Sequence, residues 1–269
     1  MMDNLRISLV QGNTLWHDPA GNREYYATLI KPLAGNTDLI ILPETFTSGF
    51  SNEAINQAET MDGPTVAWLL EQSCQLNAAI TGSVQLRVNQ HVYNRLLWVT
   101  PDGIIQHYDK RHLFRYAGEH KRYASGHERL CVPLKGWRIN PQICYDLRFP
   151  VFCRNRYDNE RKENMDFDVQ IFVANWPSAR AYAWQTLARA RAIENLCYVA
   201  IVNRVGMDGN GLHYSGDSAV IDFNGQAQLE IKHTEQVATT RISAKALTDY
   251  RRHFPAMLDA DRFVLNENQ

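Results

Sequence analysis

Short apolar runs and amphipathic stretches take turns along the chain. Residues 5–10 (LRISLV) and 38–42 (DLIIL) are β-rich, and 19–34 between them has helical character, giving the β-α-β rhythm of a layered α/β protein. Val66, Leu69, Leu70 and Cys74 fall at helical spacing and predict a helix over 62–76. Strands follow at 78–87 and 92–99, and Pro101-Asp102-Gly103 turns the chain into another at 104–109, so this middle part reads as antiparallel hairpins. Beyond it the pattern predicts strands at 137–144, 168–174, 197–203, 217–222 and 236–242, with helices near 147–157, 178–196 and 243–252. Helix and strand are thus expected to alternate throughout. GMDGNG at 206–211 reads as a turn or loop, and the charged stretch 153–166 as a solvated helix end plus connector. No linker, repeat or low-complexity segment intervenes, which predicts one domain over 1–269.

Composition narrows the partners. The chain of 269 residues is 45% hydrophobic and 21% charged, enough to bury a sizeable core. Its 28 Lys and Arg against 29 Asp and Glu leave a net charge of -1, so no basic field points to nucleic acid or anionic lipid, and a small-molecule partner is expected. The apolar run in MMDNLRISLVQGN is too short for a signal peptide, and no stretch approaches the ~18 apolar residues of a membrane span. A cytoplasmic location is the expectation. Five scattered cysteines, with no C-x-x-C pair, predict reduced thiols rather than zinc or a redox dithiol.

Three β-rich segments end in reactive residue types: ILPE at 41–44, IQHYDK at 105–110 and INPQIC at 139–144. Ligands of α/β sheets bind at the carboxyl ends of strands, so Glu44, Lys110 and Cys144 could converge although distant in sequence. Free cysteine is usually a small buried hydrophobe. Cys144, however, precedes Leu147-Arg148-Phe149-Pro150, a helix entry whose dipole would favour the thiolate. Cys74 on an apolar helix face, and Cys131 and Cys197 inside apolar runs, read as structural, and Cys153 has no evident role. Glu44 follows the apolar LIIL, where partial burial would raise its pKa and suit it to accept and return a proton. Lys110 alone would be an ordinary surface lysine; its weight comes from the other two.

A nucleophile, a proton acceptor and a fixed cation are the complement that acyl transfer through a thioester needs. No metal or other cofactor is expected: His107, His112 and His120 are interleaved with Lys110, Arg111, Arg115, Lys121 and Arg122, a poor setting for a cation. With nine histidines, a His base for the cysteine stays open on composition. A calcium loop at 208–219 is excluded by the missing glycine at its sixth position and the missing acid at its twelfth.

The segments LPETFTSGF, YDKRHLFRYAGEH, ICYDLRFP, ANWPSAR with ARAIEN, and VNRVGMDGNGLHYSGDSAVID resemble the nitrilase superfamily of carbon–nitrogen hydrolases, in the order found in bacterial omega-amidases of the YafV type. The resemblance covers most of residues 4–250. It implies an α/β fold, a four-layer αββα sandwich, and a homodimer paired through helices. It further implies that Cys144 attacks an amide carbon, Glu44 shuttles the proton, and Lys110 and the backbone N–H of Tyr145 stabilise the oxyanion. Glu119 is similar to a second glutamate of the superfamily that orients the lysine or the amide, and Arg148 to a structural ion-pair position. Phe46, Tyr145 and Trp176 are candidate pocket walls. The substrates implied are 2-oxoglutaramate and 2-oxosuccinamate, whose carboxylate needs a cationic cradle for which Arg115 and Arg180 are candidates. Nitriles, N-carbamoyl amino acids or simple amides are neighbouring substrates, and an idle scaffold of the same fold is the alternative of a different class.

Overall fold

A computed structural model gives the structure of residues 3–160 and 165–265. In chain order the elements are β1 Leu5–Gln11, α1 Pro19–Ile30, β2 Leu39–Ile41, α2 Pro64–Leu76, β3 Ala79–Val88, β4 His91–Val99, β5 Ile105–Asp109, β6 Val132–Leu134, β7 Trp137–Ile143, α3 Pro150–Cys153 and β8 Val169–Ala174. They continue with α4 Ala181–Asn195, β9 Tyr198–Asn203, β10 Val205–Met207, β11 His213–Ile221, β12 Ala227–Lys232, β13 Gln236–Ile242 and α5 Ala244–His253. One sheet has the order β13-β1-β2-β3-β4-β5; the other runs β10-β11-β9-β8-β7-β6, with β12 on β11. β1-β2-β3 and β7-β8-β9 are parallel and the remaining pairs antiparallel.

Strand alternation builds the layers. Leu39, Ile41, Leu96 and Trp98 face the second sheet and share a core with Ile139, Ile143, Ile171 and Val173. Their neighbours Ile40, Leu42, Leu97 and Val99 point the other way, onto Tyr26 and Ile30 of α1 and Val66 and Leu69 of α2. α4 covers β9 and β11 on the far side through Trp184, Ala188 and Ala192. The result is the expected αββα order of layers. It points the carboxyl ends of β2, β7 and β8 to one side of the molecule, where the loops converge.

Several expectations are corrected. The helix near 147–157 is instead a 3-10 turn, Cys144–Arg148, followed by the single turn of α3. Proline at 150 disfavours helical backbone at Phe149, whose φ of -114° and ψ of 84° break the two apart. After β9 the strands follow one another without intervening helices, so the alternation stops there. Gly206 and Met207 belong to β10, and the turn is confined to 208–211, where the Asp208 carboxylate accepts the N–H groups of Asn210 and Leu212 at 2.8 and 3.0 Å. Strands β6 and β12 had no sequence signal. In the stretch 153–166, the helix ends at buried Cys153, and 161–164 lie outside the described residues.

The five cysteines are free, and Cys74 and Cys131 are exposed rather than structural. The buried stripe of α2 passes through Val66, Leu69, Ser73 and Leu76, one position off Cys74. No helix among the described residues is long and apolar enough to cross a membrane.

Candidate active site

Glu44 follows β2 by three residues, Lys110 directly follows β5, and Cys144 directly follows β7, so the two sheets each contribute an edge to one site. Thr45 and Cys144 both take left-handed backbone, with φ of 41° and 44°. That conformation is costly for a side chain and turns the residue sharply out of the strand line. Asp146 holds the turn at Cys144. Its Oδ2 accepts the Ile143 N–H at 3.1 Å and the Tyr108 hydroxyl at 2.8 Å, while Oδ1 accepts the His112 N–H at 3.0 Å and lies 2.7 Å from His112 Nδ1. Since Tyr108 and His112 flank Lys110, one carboxylate ties the cysteine turn to the lysine loop.

Lys110 is buried, and its Nζ donates to Glu44 Oε1 at 2.8 Å and to both oxygens of Glu119 at 3.1 and 3.0 Å. Burial works against the ammonium, but the carboxylates of Glu119 and Glu44 outweigh it and hold its pKa above the ordinary value. Lys110 is therefore a fixed cation. Burial raises the Glu119 carboxyl, Lys110 opposes that, and Glu44 adds to it, leaving it above the usual range. Glu44 Oε1 also accepts Asn94 Nδ2 at 2.8 Å, and Oε2 accepts the Asn175 N–H at 2.8 Å. Each Glu44 oxygen thus has a donor that fixes its orientation.

Cys144 is 8% exposed, with Sγ 3.9 Å from the Asn175 carbonyl oxygen. Burial and the Glu44 carboxylate push its thiol well above the ordinary range, and Lys110 offsets this only in part. This corrects the expected thiolate: the turn after Cys144 is five residues of 3-10 helix, whose dipole is small beside these two effects. The resting sulfur carries its proton, in the field of the Glu44 carboxylate. The Tyr145 N–H lies in the first turn of that helix, among the donors a helix cannot use itself.

Glu44, Lys110 and Cys144 open into a cavity of about 270 Å³ walled by Phe50, Phe114, Tyr145, Trp176 and Tyr214. Of the sequence candidates, Tyr145 and Trp176 line it. Phe46 does not: it packs edge-on against Tyr26 at 5.7 Å, between sheet and helices, and Phe50 takes the wall. Arg115 is exposed and outside the lining, whereas Arg180 is in it. Arg148 makes no ion pair among the described residues and instead lies over the Trp176 ring, 4.9 Å from its centroid, facing the cavity. Among the described residues no group of three or more His, Cys, Asp or Glu could hold a metal ion.

Asn94, Asp146, Asn175 and Asn203 went unnoticed in the sequence. Asn203 Oδ1 accepts the Trp176 N–H at 2.8 Å and its Nδ2 donates to the Trp176 carbonyl at 2.9 Å, framing that wall. Asn175 and Asn203 end the apolar runs IFVA and VAIV, so the strand-end rule that selected Cys144 would have selected them too.

The family model described as carbon-nitrogen hydrolase matches residues 6–252. The chain is 46% identical over 268 residues to the protein named omega-amidase YafV of Yersinia enterocolitica, spanning 98% of this chain and 100% of that one. It is 29% identical to the 2-oxoglutaramate amidase of Bacillus subtilis, over 94% of this chain and 96% of the other. The crystal structure of a CN-hydrolase superfamily protein from Xanthomonas campestris, with an arsenic adduct in its active site, is 73% identical and matches with a TM-score of 0.97. That match covers 98% of this chain and 100% of the other.

Proposed function

The chain belongs to the carbon-nitrogen hydrolase family, and from that premise we propose that it is an omega-amidase. It releases ammonia from the terminal amide of 2-oxo dicarboxylic acid monoamides such as 2-oxoglutaramate and 2-oxosuccinamate. The observation that carries this reading is the meeting of Cys144, Glu44 and Lys110 in one cavity, with Lys110 Nζ 2.8 Å from the Glu44 carboxylate. The names of the Yersinia and Bacillus relatives support the substrate class.

The thiol proton passes to Glu44 as Sγ bonds the amide carbon, and the carbonyl electrons move onto oxygen. Lys110 and the Tyr145 N–H meet that charge, and Glu119 keeps the ammonium in place. The C–N bond then breaks as Glu44 delivers the proton to nitrogen, leaving ammonia and a thioester. Water adds to the thioester with Glu44 as acceptor, the C–S bond breaks, and the proton returns to sulfur.

Purified protein is expected to release ammonia from 2-oxoglutaramate, and Cys144→Ala to release none. Mass spectrometry after trapping with a poor ester should find the acyl group on Cys144. Turnover by the alanine variant at the wild-type rate would sink the reading, and a panel of nitriles, N-carbamoyl amino acids and aliphatic amides separates the neighbouring activities. A homodimer belongs to the same proposal and is checked by sedimentation.

A further inference from the structure

Two arginines line the cavity with no carboxylate partner among the described residues, and each is mounted on aromatic side chains. Arg148 lies 4.9 Å from the Trp176 centroid, and Arg180 lies 5.5 Å from that of Phe114 and 6.0 Å from that of Tyr116. Among the described residues neither meets a carboxylate at ion-pair distance. Elsewhere in the fold Arg95, Arg191 and Arg251 are paired with Asp109, Glu194 and Asp168. Stacking occupies the face of a guanidinium and leaves its in-plane N–H groups available, in the fork that matches a carboxylate.

Trp176 couples the two. Its ring carries Arg148, its Nε1 donates to the Arg180 carbonyl at 2.9 Å, and Asn203 fixes its own backbone on both sides. The guanidinium groups are therefore held before any ligand arrives, which lowers the ordering cost of binding. Charge points the same way. Glu44 and Glu119 both engage Lys110, and with Arg148 and Arg180 in the cavity lining the five groups sum to one cation in excess. A substrate with one carboxylate balances it, and a neutral amide does not.

We propose that Arg148 and Arg180, mounted on Trp176 and on Phe114 with Tyr116, form the specificity-determining clamp for the carboxylate at the end of the substrate remote from the scissile amide. The clamp rests on the omega-amidase reading above and assigns its substrate selection to named residues. Arg115 takes no part.

The test compares kcat/KM for 2-oxoglutaramate with that for 4-oxopentanamide, which carries a methyl group where the first has its carboxylate. Wild type, Arg148→Met, Arg180→Met and Arg180→Lys are measured on both. A ratio of the two substrates cancels the concentration of active enzyme, so a partly folded variant still reports. Losing one charge-assisted contact lowers the ratio roughly 10- to 100-fold in each Met variant, chiefly through KM for the anion, with partial recovery in Arg180→Lys. An anion preference unchanged in both Met variants overturns the clamp and leaves the amidase reading standing. Wild type that hydrolyses neither amide, or both equally well, overturns the substrate reading and the clamp with it.

Discussion

Lys110→Met removes the buried cation while nearly keeping the side-chain volume. It leaves Glu44 and Glu119, both fully buried, with Asn94 Nδ2 as a shared side-chain donor at 2.8 and 3.3 Å. Removing one member of a buried ion pair costs about 3–5 kcal/mol, which lowers the melting midpoint of a chain of this size by roughly 6–20 °C. The dependence on pH identifies the cause. Glu119 already sits above its ordinary 4.5 because of burial, in spite of Lys110, and without the lysine it rises further. A carboxyl raised in the folded state binds its proton more tightly there than in the unfolded chain, so stability falls as pH climbs from the unfolded value toward the folded one. The deficit of the variant relative to wild type should therefore be smaller at pH 5 than at pH 8. Urea denaturation followed by circular dichroism at both pH values measures it. A deficit below about 1 kcal/mol, or one equal at the two pH values, would refute the view that Lys110 is the counter-ion of this carboxylate pair.

Because the Cys144 thiol is held protonated beside its acceptor, Glu44→Gln should slow iodoacetamide alkylation of Cys144 by roughly 10²- to 10⁴-fold. Exposed Cys74 should label at the wild-type rate in the same sample, as read by peptide mass spectrometry, and equal slowing at both sites would contradict the proton-transfer role. Gly126 donates its N–H to the Lys110 carbonyl at 3.0 Å, and a methyl group there would sit 2.2 Å from the Asp109 carbonyl oxygen. Gly126→Ala should accordingly cost about 1–3 kcal/mol by overpacking and lower kcat by shifting Lys110, whereas wild-type kcat in a folded variant would mean that the loop absorbs the methyl group without moving its lysine.

The rhythm of strands and helices in the first half of the chain was legible because it arises from the alternation of side chains along a strand and the helical repeat of buried positions, both set within a few residues. Leu39 to Leu42 shows it: successive side chains enter opposite cores. The strand-end rule located Glu44, Lys110 and Cys144 for the same local reason. Phe46, expected as a pocket wall, follows the left-handed Thr45 and packs under the helices instead of facing the cavity. β6 spans three residues and most of β12 is exposed, so neither leaves an apolar pattern to read.

Local chemistry thus settles which residue types stand at strand ends, and where the chain turns. The protonation of Cys144, the double engagement of Lys110 and the mounting of the Arg148 and Arg180 guanidinium groups on aromatic rings lie beyond its reach. Each depends on distances between residues far apart in the chain, as between Glu44 and Asn175, 131 positions apart and 2.8 Å from donor to acceptor. Charge and hydrogen bonding act through space. Packing one sheet on the other therefore brings three scattered strand ends into one cavity, with the two arginines in its lining and, among the described residues, without a carboxylate partner.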